Sequence, residues 1–63
     1  MVILDNIRAL CSKRGVTTFS LERKLGLGSG TISKWGTVSP TVAKLKRVAD
    51  YFGVTVDELL KEE

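Results

Sequence analysis

Apolar side chains recur at three- and four-residue steps along nearly the whole chain, the period of amphipathic helices. Ile3, Leu4, Ile7, Leu10 and Cys11 form the first stripe, and Lys13-Arg14-Gly15 closes it. Cations in a last turn followed by glycine favour a helix C-terminus. Val16-Thr17 then opens a second helix. With Thr17 as N-cap, Val16 precedes the cap and Leu21 falls four residues in, the spacing of a hydrophobic staple. Leu21 and Leu25 mark its inner face, and Gly26 stops it. Gly26-Leu27-Gly28 connects it to a short third helix predicted over Ser29 to Trp35, with Ile32 and Trp35 on one side. Gly36 to Pro40 reads as a loop, since proline disfavours helix at the residue before it. Thr41 is predicted to cap a fourth helix with the stripe Val42, Leu45, Val48, Ala49 and Phe52, ended by Gly53. Thr55 to Glu58 reads as a capping box that starts a fifth helix, with Val56, Leu59 and Leu60 on one face.

No turn dipeptide lies between alternating strand-like runs, and no segment repeats. The expectation is an all-α, compact bundle of five short helices. Its core should join Ile7, Leu10, Leu21, Leu25, Ile32, Trp35, Leu45, Val48, Phe52 and Leu59, one face from each helix.

Composition narrows the function. At 63 residues the chain reads as one domain, 1–63, or a piece of a longer protein. One cysteine, Cys11, allows no internal disulfide, and with no histidine an ordinary zinc site cannot be assembled. Stability must come from apolar packing, for which 43% of the residues are available, and Cys11 is expected to serve as a small core hydrophobe. An enzyme is not expected, because a chain this short seldom folds and also encloses a pocket of about 300 Å³. No cofactor and no metal are expected. The longest early apolar run, Val2 to Leu4, is too short for a signal peptide or a membrane span. The expected location is the cytoplasm.

Charge is more informative than its sum of +3. Residues 1–49 hold nine basic and two acidic side chains, and residues 50–63 hold one basic and five acidic. A basic body with an acidic end should attract a polyanion to one side.

Two short helices joined by a tight glycine-containing turn make a helix-turn-helix unit, here about 17–36. The ordered set Gly15-Val16-Thr17, Leu21, Leu25-Gly26-Leu27, Thr31 to Trp35, Ser39-Pro40 and Val48 to Leu60 resembles the Cro and phage-repressor family, with lambda-repressor-like DNA-binding domains. The resemblance covers essentially the whole chain. It implies that the third helix enters the major groove of double-stranded DNA by its N-terminal end. Ser29, Gly30, Ser33 and Lys34 would then contact bases, and Lys34 has the reach and charge for guanine N7 and O6. Thr17, Thr18, Thr31 and Thr37 would contact the DNA backbone.

The same resemblance implies the DNA-binding domain of a bacterial or phage transcriptional regulator. It would be a repressor on a palindromic operator, working as a homodimer that is weak without DNA. The competing class is a protein-interaction module of the same fold, such as an antitoxin or adaptor component. Two positions depart from the family. Many members pair an arginine in the first helix with a glutamate after the third, where this chain has Cys11 and Gly36. Phe19 stands where a polar residue is usual, and could pack under the N-terminal segment or mark a contact surface.

Other patterns have plainer readings. Gly26, Gly28 and Gly30 lack the strand and the Gly-Lys-Ser/Thr ending of a phosphate loop. Gly30 inside a helix would cost about 1 kcal/mol relative to alanine, so Gly30→Ala should stabilise the fold. Either the first turn tolerates it or the bare backbone lets DNA approach. Lys44, Lys46 and Arg47 read as a solvated face. Ser20 and Lys24 have dyad spacing but no oxyanion hole or pocket.

Overall fold

The computed structural model describes residues 2–62, so the ends of the expected 1–63 domain, Met1 and Glu63, lie outside the described residues. Five helices follow in order: α1 (Ile3–Arg14), α2 (Thr18–Leu25), α3 (Thr31–Lys34), α4 (Val42–Phe52) and α5 (Val56–Leu60). There is no strand among the described residues. The all-α expectation is met.

One local device ends three of these helices. Gly15, Gly26 and Gly53 take the left-handed conformation after α1, α2 and α4. The next residue in each case, Val16, Leu27 or Val54, donates its N–H back to a carbonyl inside the helix it follows, at 2.8–3.0 Å. All three then pack against the core, as the hydrophobic partner of a Schellman ending does. Threonine starts three helices just as regularly. The hydroxyls of Thr17, Thr41 and Thr55 accept from Ser20, Lys44 and Glu58 N–H respectively. The full reciprocal capping pair belongs to Thr17, where the Ser20 hydroxyl accepts from Thr17 N–H at 3.2 Å. At Thr55, where a capping box is expected, the structure shows the threonine's half of it.

Three side chains from distant helices satisfy carbonyl groups that helix C-termini leave open. Arg14 donates to Phe52 O at 2.6 Å and lies over the Phe52 ring at 5.5 Å, tying α1 to the end of α4. Arg47 donates to Leu25 O, tying α4 to the end of α2. The Asn6 amide donates to Leu59 O and Lys61 O at 2.8 and 2.9 Å, tying α1 to the end of α5.

The buried cluster is Ile3, Ile7, Cys11, Leu21, Ile32, Trp35, Leu45, Val48, Ala49, Phe52 and Leu59. It contains eight of the ten expected core residues; Leu10 and Leu25 are half-buried at its edge. Cys11 is a core hydrophobe, and burial pushes its thiol pKa up, away from the reactive thiolate. Two apolar expectations fail. Val42 is 73% exposed, because the first turn of α4 runs past the core. Leu60 is 44% exposed, because adjacent helical residues point about 100° apart and Leu59 takes the inward direction.

Candidate nucleic-acid interface

The third helix is shorter than its apolar period suggests. It spans Thr31–Lys34, not Ser29 to Trp35, because the chain turns at Gly30. Thr31 N–H donates to Gly28 O at 3.1 Å, which closes a β-turn over residues 28–31. Gly30 sits at φ 80°, ψ 0°, and no residue other than glycine has positive φ. Those angles at the third position of a hydrogen-bonded turn define type II, which calls for glycine there. Gly30 is therefore not a helix-interior residue, and the expected stabilisation by alanine is overturned. A Cβ there would meet nothing within 4 Å, so the requirement is conformational and not one of space.

Beyond Lys34 the chain keeps winding in tighter turns. Trp35 and Thr37 donate to the carbonyls of Ile32 and Lys34, three residues back in each case, at 3.0 Å. The segment thus reaches Val38 as a continuous coil, with Ile32 and Trp35 buried beneath it. Ser29, Ser33, Lys34 and Thr37 are exposed, while Gly30 and Thr31 are half-buried. All six lie together along this one segment. Thr17 and Thr18 stand apart at the start of α2, exposed and half-buried respectively. The backbone N–H of Thr17 is engaged by Ser20 and its hydroxyl oxygen already accepts a bond, which leaves the hydroxyl proton to donate.

The start of α3 depends on a residue that sequence reasoning passed over. Glu22, on α2, is the buried charged side chain of the core, 3% exposed. One carboxylate oxygen, Oε1, accepts from Gly30 N–H at 3.1 Å, and the other, Oε2, accepts from Ile32 N–H at 2.8 Å. Hydrogen bonds to an ionised acceptor are the strong kind. α3 has no cap of its own, since Gly30 carries no side chain, and Glu22 supplies one from the preceding helix. The available signal was an isolated acid in a basic stretch, eight residues before Gly30. Nothing local says where it points.

A shallow cleft of about 250 Å³ separates α3 from the start of α4. Thr31, Lys34, Thr41 and Lys44 line it over Trp35 and Pro40. Lys44, Lys46 and Arg47 are exposed, as expected of a solvated face; Lys44 also lines this cleft with Lys34, and Arg47 also donates to the end of α2. At the position of the family's missing glutamate, a Cβ built on Gly36 would lie 3.2 Å from a Leu4 methyl. Leu4 thus closes over Gly36, so a side chain there would need Leu4 to give way. Phe19 is 55% exposed, with the Arg23 guanidinium 5.8 Å from its ring centre.

Among the described residues, no group of three metal-ligating side chains comes together, and no helix is long and apolar enough to cross a membrane. Every buried side-chain nitrogen and oxygen among them has a hydrogen-bond partner. Neither the curated proteins nor the solved structures include one that matches this chain. The family model described as Cro/C1-type HTH DNA-binding domain matches residues 6–63. With two short helices at a glycine turn, an exposed Ser-Lys segment over a buried Ile-Trp pair, and that match, the chain belongs to the Cro/C1-type helix-turn-helix DNA-binding domains.

Proposed function

We propose that residues 1–63 act as one sequence-specific DNA-binding domain of a cytoplasmic transcriptional regulator, a repressor that works as a homodimer on a palindromic operator. The observation that carries this is the two-sided character of the α3 segment. Ile32 and Trp35 anchor it in the core, while Ser29, Ser33 and Lys34 stand exposed on it. In this reading Ser29, Gly30, Ser33 and Lys34 meet base edges in the major groove. Thr17, Thr18, Thr31 and Thr37 position the domain on the DNA backbone. Lys44 joins them, because it shares the cleft with Lys34.

Dimensions support a dimer. The chain's longest extent is 27 Å, whereas major-groove half-sites lie about 34 Å apart. One copy reads one half-site, and a palindrome needs two. The exposed apolar residues Val38 and Leu60 supply a surface around the α3–α4 loop and α5 on which copies would meet.

Lys34→Ala tests the assignment. On the preferred operator it should lose about 1–3 kcal/mol, and much less on random duplex. If both duplexes weaken alike and the salt slope falls by about one unit, Lys34 is a phosphate clamp instead. Phe19, exposed under Arg23, favours the second reading, a protein-interaction module of the same fold. Absence of any gel retardation by micromolar protein at about 50 mM salt, where phosphate contacts are strong, would select that second reading.

A further inference from the structure

We propose that Glu22 is a positioning residue for DNA reading: its carboxylate fixes the pose of α3, and the pose depends on its two acceptor oxygens and not on its bulk. The inference rests on the DNA reading above. Three observations carry it. First, α3 has four residues, far below the length at which an isolated helix holds itself together, so its direction must be imposed from outside. Second, the carboxylate grips both sides of the point where α3 begins, at Gly30 and Ile32 N–H. Third, with Thr31 N–H bonded to Gly28 O, the N–H groups of residues 30, 31 and 32 are all engaged inside the protein. The start of α3 therefore offers none of these backbone donors to phosphate.

The chemistry gives this role a distinctive sign. Glutamine has the size of glutamate but only one acceptor oxygen, so Glu22→Gln would turn an NH2 group toward a backbone N–H. One bond is lost and two donors oppose each other. Glu22→Gln also removes a negative charge beside a polyanion, which by itself strengthens binding to every DNA sequence. A positioning role moves operator affinity down. A charge role moves it up.

The experiment uses the full 63-residue chain as wild type, Glu22→Gln and Glu22→Ala, with an operator selected from a random oligonucleotide pool and a random-sequence duplex. Operator affinity should fall about tenfold or more in both variants, the usual weight of a hydrogen bond to a charged group. Affinity for random duplex should hold or rise. In nitrogen-15 spectra the Gly30 and Ile32 amide protons should move upfield and exchange faster, while α1, α4 and α5 signals stay in place. Variants that keep the operator-to-random ratio within about twofold overturn the inference, as do unmoved Gly30 and Ile32 amides. Loss of all native signals in both variants assigns Glu22 to folding alone and overturns it too. A wild type that prefers no duplex overturns the DNA reading itself, an outcome visible before either variant is measured.

Discussion

The starts of α2 and α3 meet the same demand by opposite means. Each must satisfy backbone N–H groups that a first helical turn leaves open. At α2 the solution is local: Thr17 and Ser20, three residues apart, bond reciprocally at 3.0 and 3.2 Å. At α3 the solution comes from a different helix, through a buried carboxylate eight and ten residues away in sequence. A local cap secures one helix end and says nothing about where that helix points. A cap reaching from α2 secures the end and also fixes the angle between the two helices. In the proposed function, the helix that reads DNA is the one capped from a distance.

Four substitutions sharpen or break that contrast. The largest effect belongs to the anchor beneath α3. Trp35→Ala should cost about 2–5 kcal/mol by opening a cavity under the segment, and a variant melting within about two degrees of the parent would remove Trp35 from the core. Glu22→Ala comes next. It strands the buried Ile32 N–H, and one unsatisfied buried donor costs about 1–3 kcal/mol; a urea midpoint matching wild type would show that water replaces the carboxylate freely. Gly30→Ala should destabilise by about 1–2 kcal/mol, because alanine is strained at φ 80°. A higher midpoint for that variant would mean that the turn at Gly28–Thr31 is not of type II. The smallest effect is that of Thr17→Ala, about 1 kcal/mol, read as faster amide exchange confined to the first turn of α2. Exchange spreading into α3 would show that the two caps are not independent.

The same division explains what could be read from the sequence. The ends of α1, α2 and α4 were legible because glycine followed by valine or leucine at the end of a helical stripe is a complete local instruction. The threonine starts of α2, α4 and α5 were legible for the same reason. Ile32 and Trp35 were legible as core because their spacing matches a helical face. The start of α3 was not, since its deciding contacts run from Thr31 N–H to Gly28 O and from Gly30 and Ile32 N–H to Glu22, and periodicity carries no record of either. Val42 and Leu60 were misplaced because a stripe of apolar residues does not show where the core ends along a helix. Lys44 and Arg47 are three residues apart on α4. One lines the cleft and the other caps α2, a distinction that only packing makes. For the candidate interface, Ser29, Ser33, Lys34 and Thr37 came from the family resemblance and are exposed, while Gly30 and Thr31 are half-buried. The Glu22 contacts at the start of α3 came from neither the resemblance nor the periodicity.

The brevity of α3 has a consequence for anyone who would redesign what this domain reads. A longer recognition helix can be treated as a cassette, with its outward residues exchanged while the scaffold stays the same. Here the segment from Ser29 to Lys34 has no shape of its own. Its geometry is written in a glycine within it, a tryptophan after it and an acid on another helix. Moved into a foreign scaffold without Glu22 and Trp35, the same letters would be spoken with no grammar. On the proposed reading, new specificity is better sought by changing Ser29, Ser33 and Lys34 in place, with those three supports left untouched.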